Sequence, residues 1–494
     1  MTKLPKRLLI ANRGEIAVRV ARTAREMGIE PIGVFAESDA GAFHVRQMRH
    51  AVSLGAGPPL ETYLSVPRLI EAAQHARADA VHPGYGFLSE NAAFARAVEA
   101  AGLLWIGPPA SAIEEMGDKL RARRRMREAG VLVVPGSDGS AAQDEALVQK
   151  GSELGFPLFV KAAAGGGGKG MSRVRRPEDL PAALEETRRV AGAAFGDDRV
   201  YIEKLLERPR HIEFQIFGDR SGNVVHLFER ECSVQRRHQK LLEETPSVAL
   251  DPRLRAMMGR AAVEAARSVG YVGAGTVEFL LDERGNFYFL EMNTRLQVEH
   301  PITEETLSLD LVRAQIEIAA GAPLPASWRG GKLAPQGHAI ELRLYAEDPI
   351  EMLPRSGLLL AYEEPSGPGV RVDAGVEKGS RVGLDYDPLL AKLVISAPDR
   401  PAAIGRARRA LSDWVILGVE TNLPLLSAVL ASEEFASGAY TTDLLDRLAR
   451  PAPTKVPDVA WIAAALSLGG AGEAAGAGPP RDPWNEVSGW RLGP

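Results

Sequence analysis

Residues 7–110 alternate short apolar runs with amphipathic stretches of helical period. Leu8–Ala11, Pro31–Phe35, Ala80–His82 and Leu104–Ile106 read as strands. The stretches near Ile16–Met27 and Val66–His75, and another ending at about Ala101, read as helices. Strands separated by helices form parallel neighbours, because the crossover needs a dozen or more residues, so this region predicts βαβ units and a parallel sheet. From Gly130 to about Glu203 the pattern changes to short strands around a glycine run, with a helix near Glu178–Ala191, and predicts a small lid domain. A larger mixed domain follows to about Arg450. After Pro451 the Gly-, Ala- and Pro-rich composition reads as a linker or tail, with a short helical stretch to about Leu468. Trp484 and Trp490, near its end, suggest a segment that packs on something else.

The most informative alternation is EMNTRLQVEH, where Glu291, Asn293, Arg295, Gln297 and Glu299 recur at every second position. An extended chain would place all five on one face. The preceding apolar runs, joined by Asp282-Glu283-Arg284-Gly285-Asn286, signal a hairpin; a two-residue Arg284-Gly285 turn sets Glu278 opposite Glu291. Facing carboxylates repel, so a shared proton or a bridging cation is required. Glu278, Glu291 and Asn293 offer only oxygens, which suit Mg²⁺ or Mn²⁺. The alternative is a hairpin whose acids face water.

Composition sets the outer limits. The chain has 494 residues, 45% apolar and 25% charged, with net charge −5, which predicts a soluble protein of about two to four domains. There is no basic excess and no aromatic interleaving of the cations, which disfavours nucleic acid. Cys232 is the single cysteine and cannot form an internal disulfide; it is expected to be a small buried hydrophobe in a reducing compartment. The apolar run near the start is only about four residues, too short for a secretion signal, and nothing approaches the ~20 apolar residues of a membrane span. A cytoplasmic protein is expected.

Glycine turns carry further candidate chemistry. The first, at Ala11–Glu15, has one glycine and no G-x-G-x-x-G, so a dinucleotide fingerprint is absent. A second, HPGYGFLSEN at 82–91, places its glycines where a strand meets a helix, with Ser89 as expected cap. In Lys161-Ala-Ala-Ala-Gly165-Gly-Gly-Gly168-Lys169-Gly170, four glycines free backbone N–H groups for an anion, though the Walker pattern is not met. That run reads as a phosphate loop, the alternative being a disordered loop. Arg230, Arg236, Arg237, His238 and Lys240 form a cationic cluster suited to an anionic ligand or to buried ion pairs. Taken alone, Arg343, in Ile340-Glu341-Leu342-Arg343-Leu344, supports only an exposed strand.

Together, ANRGEIA, HPGYGFLSEN, MGDK, VKAAAGGGGKGM, RHIEFQ, ERECSVQRRHQK, GAGTVEF and EMNTRLQVEHP, in this order from about Leu8 to Arg450, resemble biotin carboxylase of the ATP-grasp family. YAEDP, LPRSG and YDPLLAKL look most like the biotin carboxylase part of acyl-CoA carboxylase α chains. The resemblance implies an α/β and α+β chain: a Rossmann-like N-terminal domain at 1–118, an ATP-grasp region at 119–320 with its lid at about 130–203, a C-terminal domain at 321–450 and a tail at 451–494. It implies ATP-dependent carboxylation of biotin with bicarbonate, via carboxyphosphate, as the first half-reaction of an acyl-CoA carboxylase.

By motif match, Lys119 and Lys161 would hold ATP phosphates and Gly167 and Gly168 would close over them. Glu203, Lys204 and Leu206 would contact adenine, and His211, Gln235 and His238 would line the nucleotide site. Glu278, Glu291 and Asn293 would hold Mg²⁺ or Mn²⁺. Lys240, Arg295, Gln297 and the Val298 backbone would bind bicarbonate, Glu299 would be its base, and Arg343 would stabilise the biotin enolate. Ala163 and Ala164 stand where some relatives have Ser or Gly, and no Met-Lys-Met attachment site is present. The resemblance therefore implies biotin on a carrier domain or protein outside this chain, a carboxyltransferase partner, and a homodimer or larger complex. The DPW…GWR ending resembles the region following the carboxylase part of such α chains.

Overall fold

The computed structural model describes residues 3–138, 144–164, 170–236, 239–330, 332–449 and 458–462. Two compact units are present, residues 1–450 and 451–494. Within the second, 458–462 are helical; the rest of the expected helix, the glycine-rich stretch, Trp484 and Trp490 lie outside the described residues. No described helix is long and apolar enough to cross a membrane.

The expected N-terminal parallel sheet is present, with strands β1 (Arg7–Ile10), β2 (Glu30–Phe35), β3 (His50–Ser53), β4 (Ala80–His82) and β5 (Leu104–Trp105) in the order β3-β2-β1-β4-β5. Strand β3 was not foreseen. Its burial pattern shows no fully buried residue, and its four residues carry too little apolar periodicity to register. In β1, Leu8 and Ile10 face one apolar layer, which includes Val20 and Leu311, while Leu9 faces another, with Leu69 and Phe94. Helices on both faces explain why this strand reads as a continuous apolar run.

The turn after β4 needs its glycines: Gly84 and Gly86 have φ of +66° and +67°. A Cβ on Gly84 would lie 2.9 Å from Asn12 Nδ2, the amide that donates to Pro83 O and Tyr85 O. Ser89 is not the cap of the helix that follows. Asn91 is, accepting from Phe94 N at 2.9 Å, because the helix starts two residues later than the serine would require; such a cap contributes about 1 kcal/mol.

A three-stranded antiparallel sheet, β6 (Leu158–Ala162), β7 (Met171–Val174) and β8 (Val200–Lys204), has the order β7-β6-β8. Helices Asp144–Leu154 and Leu180–Phe195 cover it, and Leu147, Leu158, Val160, Leu184 and Ile202 form its own small core. The helix expected over Glu178–Ala191 begins with a short 3₁₀ turn at Pro177–Asp179 and runs on to Phe195, stopping at Gly196 with φ +69°.

The largest element is an eight-stranded antiparallel sheet. It contains β9 (Arg210–Gly218), β10 (Val224–Arg236), β11 (Gln239–Thr245), β12 (Gly273–Leu281), β13 (Phe287–Asn293) and β14 (His338–Tyr345), in the order β13-β12-β9-β10-β11-β14. Leu389–Ala397 and Val370–Ala374 extend it beyond β14. Register pairs Glu243 with Glu341 and Arg343 with Lys392, so residues far apart in sequence share one polar face.

The hairpin forms, but not by a two-residue turn. Asp282 N donates to Asn286 O, leaving the three-residue loop Glu283-Arg284-Gly285 with Gly285 at φ +80°. The pairs Leu281–Phe287 to Phe279–Phe289 follow from that loop; a bulge then skips Leu290, and Glu278 pairs with Glu291. Two errors of one residue cancel, and the carboxylates share a face.

Candidate active site

A cavity of about 990 Å³ lies between the three-stranded sheet, the ends of β12 and β13, and β14. Lys119, Lys161, Glu203, Lys204, Leu206, His211, Gln235, Lys240, Glu278, Glu291, Asn293, Arg295, Gln297, Val298 and Arg343 all line it. Glu299 is fully buried beneath. Gly167, Gly168 and His238 lie outside the described residues.

The floor is a dense ionic lattice. Lys240 Nζ lies 2.8 Å from Glu278 Oε1 and 2.7 Å from Glu299 Oε1, and also binds Glu213. Burial disfavours its charge, but Glu213, Glu278 and Glu299 hold the ammonium firmly protonated. Arg343 bridges Glu299 Oε2 at 2.9 Å and Glu243. Burial pushes the Glu243 carboxyl up to about 7 despite that arginine. For Glu299, burial acts upward too, yet Lys240, Arg343 and Arg230 overcome it and hold the carboxyl well below its ordinary range. Glu299 is therefore an anion at neutral pH, gripped by two cations.

Expected alternation along 291–299 holds only in part. Strand β13 ends at Asn293, and Arg295 to Glu299 form a bend and turn leading into helix His300–Leu307. The side chains still converge: Arg295 donates to Gln297 Oε1 at 2.7 Å and to Asn293 Oδ1 at 3.1 Å. Asn293 and Gln297 both donate to Glu278 Oε1, at 2.8 and 3.1 Å. A tight turn does here what a strand was expected to do.

Glu278 and Glu291 differ in how their charges are met, and the difference bears on a hard divalent cation. Lys240, Asn293 and Gln297 converge on Glu278, and His211 Nε2 lies 2.8 Å from it, so its carboxyl is held low against the upward effect of burial. Glu291 has Lys119 at 3.8 Å, and its carboxyl is raised by burial and by the Glu278 charge. An oxygen ligand with a charge disfavoured by a neighbouring carboxylate is where added positive charge is most stabilising, so the residues fit Mg²⁺ or Mn²⁺.

At the other end, Lys161 Nζ lies 2.5 Å from Glu203 Oε2, and Arg123 pairs with Oε1 of the same carboxylate. Burial works against the Glu203 charge, but Lys161 and Arg123 keep its carboxyl low. The Glu203 side chain thus anchors a lysine. Lys204 Nζ is tied to Gly155 O and Phe156 O, each at 3.0 Å.

Several site residues were not singled out from sequence. Arg123 lies on the helix Lys119–Glu128 just after the quoted MGDK motif. Glu213 sits two residues after His211 on β9, and a period of two would have exposed it. Glu90 lies in HPGYGFLSEN next to Ser89, the expected cap; it takes Arg295 Nε at 2.8 Å and Thr294 N at 3.0 Å. Arg237, like His238, lies outside the described residues; the described members of the cationic cluster sit in buried ion pairs. Arg230 is fully buried against Glu213, and Arg236 pairs with Glu347. Arg343 is not on an exposed strand, since every residue of β14 is buried; both faces are covered, and its basic members turn to acids of other elements, His338 to Glu244 and Arg343 to Glu243 and Glu299. Cys232 is fully buried, and burial followed by the Glu213 charge pushes its thiol well up, which suits an inert side chain.

Comparison with known proteins agrees with this architecture. Three family models match in succession: "Biotin carboxylase, N-terminal domain" over residues 4–113, "Carbamoyl-phosphate synthase L chain, ATP binding domain" over 118–327 and "Biotin carboxylase C-terminal domain" over 341–447. Biotin carboxylase 2 of Bacillus subtilis is 47% identical over 439 residues, which cover 89% of this chain and 98% of that one. The alpha chain of mitochondrial methylcrotonoyl-CoA carboxylase from Rattus norvegicus is 46% identical over 89% of this chain, which spans 61% of that protein. Among solved structures, the biotin carboxylase domain dimer of Hydrogenobacter thermophilus 2-oxoglutarate carboxylase, in complex with MgADP, ADP and bicarbonate, superposes with a TM-score of 0.87 at 44% identity. That match covers 90% of this chain and 98% of that one. With its lattice of acids and cations at the floor of an ATP-grasp cavity and near-half identity along nine-tenths of its length, the chain belongs to the biotin carboxylase family.

Proposed function

We propose that this chain uses ATP and bicarbonate to carboxylate biotin presented by a separate carrier domain or protein, as the first half-reaction of an acyl-CoA carboxylase. The observation that carries the reading is Glu299, an ionised carboxylate between Lys240 and Arg343 under a cavity that also holds Lys119 and Lys161. The functional units are residues 1–118, 119–320 with a lid at about 130–203, and 321–450, with 451–494 as a connecting tail. Biotin on a carrier domain or protein and a carboxyltransferase are the partners of this reading, and a homodimer is the expected assembly. The Hydrogenobacter relative was solved as a dimer with MgADP and bicarbonate, which supports both the assembly and the substrates.

In this mechanism Lys119 and Lys161 hold the ATP phosphates, with Gly167 and Gly168 closing above. Glu203, Lys204 and Leu206 border the adenine, and His211, Gln235 and His238 complete the nucleotide wall. Bicarbonate sits against Lys240, Arg295, Gln297 and the Val298 backbone. Glu299 takes its proton, and the resulting oxyanion attacks the γ-phosphorus, so that the bond to ADP breaks and carboxyphosphate forms. Glu278, Glu291 and Asn293 would hold Mg²⁺ or Mn²⁺, which supplies charge neutralisation at the phosphate oxygens. Carboxyphosphate divides into CO₂ and phosphate, the phosphate removes the ureido N–H proton of biotin, and the nitrogen attacks CO₂. Arg343 stabilises the negative charge on the ureido oxygen during that step, and closure of the lid keeps water from the intermediate.

Measuring ATP hydrolysis with and without bicarbonate and free biotin tests this reading. Turnover should require bicarbonate and rise with biotin; turnover indifferent to both would reject it.

A further inference from the structure

The turn that carries the bicarbonate contacts is gripped from behind. Lys392, fully buried on the strand Leu389–Ala397, donates from Nζ to the Val298 carbonyl at 2.9 Å. Its charge is matched by Glu15 Oε1, also at 2.9 Å, and Tyr85 in turn donates to that carboxylate. One residue back, the Gln297 carbonyl lies 2.8 Å from Nδ1 of His300, another fully buried side chain. Burial, followed by Lys392 and Arg19, holds that imidazole neutral, and its Nε2 has no partner, as expected of the tautomer that donates from Nδ1.

A peptide unit is planar and trans, so its N–H points away from its own C=O. Pulling the Gln297 and Val298 carbonyls toward His300 and Lys392 therefore turns the N–H groups of Val298 and Glu299 toward the opposite side. Val298 lines the cavity. Among the described residues, neither N–H donates a hydrogen bond within the chain. Two adjacent N–H groups held in one direction form a concave donor pair of the sort that binds small anions. A carbonyl left free to rotate would present its own negative end to the same anion.

We infer that Lys392 and His300 are positioning residues, which lock two successive peptide planes so that the Val298 and Glu299 N–H groups form an anion cradle for bicarbonate. The inference rests on the biotin carboxylase reading and deepens it. Glu15, from the N-terminal sheet region, and Lys392, from the far side of the large sheet, tie the cradle to both. Neither side chain need touch substrate: each acts through a carbonyl.

Kinetics of Lys392→Met and of His300→Phe test the idea, together with the double variant Lys392→Met/Glu15→Gln, which leaves no unpaired buried charge. The bicarbonate KM is expected to rise about tenfold or more in each, given what a small misplacement of binding groups costs, while the ATP KM changes less than about twofold. Glu15→Gln alone, which keeps the amine on the Val298 carbonyl, is expected to shift the bicarbonate KM much less than Lys392→Met. Thermal melting of each variant with an ATP analogue reads folding independently of bicarbonate. An unchanged bicarbonate KM in a folded Lys392→Met/Glu15→Gln variant would overturn the inference, as would equal rises in the KM for ATP and bicarbonate. Wild-type turnover indifferent to bicarbonate would instead overturn the carboxylase reading on which it rests.

Discussion

Glu278 and Glu291 are cross-strand partners whose carboxyls are shifted in opposite directions. Burial raises both carboxyls, but Lys240 and His211 pull Glu278 down, while the Glu278 charge pushes Glu291 further up. At neutral pH the protein without nucleotide therefore carries an electrostatic cost at Glu291. A raised folded-state pKa gives a favourable contribution that is present at low pH and lost as pH rises through it. Glu291→Gln is accordingly expected to melt at higher temperature than wild type at neutral pH in the absence of nucleotide and metal.

The same variant should need more metal. Loss of even an outer partner of a metal ligand costs about 10–100-fold in affinity, so removing a ligand carboxylate should raise the Mg²⁺ half-saturation of ATP hydrolysis at least about tenfold. Protons compete with metal at Glu291, and its raised pKa brings that competition in at a higher pH than for an ordinary carboxylate. Wild-type Mg²⁺ affinity should thus weaken on mild acidification. Titrations at two pH values would check this, and an unchanged half-saturation in Glu291→Gln would remove Glu291 from the ligand set.

Glu299→Gln should lower bicarbonate-dependent ATP hydrolysis by about 10²–10⁴-fold, the usual contribution of a general base. ATP-analogue affinity should stay nearly intact, because the residue lies beneath the cavity. The Glu299 carboxyl is held well below its ordinary range by Lys240 and Arg343 against burial, so its contribution to stability is present at neutral pH and disappears only as pH falls through the folded value. Loss of wild-type activity on mild acidification must then come from other groups. A variant that keeps wild-type turnover would end its role as base.

Arg343→Ala should impair carboxylation of free biotin more than bicarbonate-dependent ATP hydrolysis, since Lys240 still holds Glu299 ionised while the guanidinium assigned to the ureido oxygen is lost. Side-by-side assays of the two activities give the ratio. Equal losses in both would make it a structural arginine, which its two buried ion pairs would readily explain.

How far the site was legible in sequence depended on whether its geometry was local. A hairpin fixes register within a few residues, so Glu278 opposite Glu291 could be read despite a wrong turn length, because the bulge at Leu290 compensated. Helix Val66–His75 and strand Ala80–His82 form where they are expected, since a buried parallel strand shows as a short continuous apolar run and an amphipathic helix as a period of 3.6. Arg343 could not be placed without the resemblance. Its neighbours Glu243 and Lys392 come from β11 and the strand Leu389–Ala397, and only sheet order brings them together. Glu90 was obscured for the same reason: its partner Arg295 is 205 positions away.

Glu203 offers a test of stability coupled to function. Its buried carboxylate carries both Lys161 and Arg123, and Glu203→Gln would leave two neighbouring buried cations without a counter-charge. Breaking a buried pair from one side typically costs about 3–5 kcal/mol, much of it the uncompensated charge that remains. Urea unfolding at neutral pH should show a loss of that order, and the ATP KM should rise because Lys161 is no longer held. Since burial is outweighed by Lys161 and Arg123, the folded carboxyl lies below its unfolded value. Its contribution is therefore present above the ordinary carboxylate range and lost as pH falls through the folded pKa, so the gap between wild type and variant should narrow in acid. Adding Arg123→Met removes one of the two stranded cations and should restore part of the stability at neutral pH. A Glu203→Gln variant as stable as wild type would mean that the two cations find other partners, and that the lysine needs no anchor.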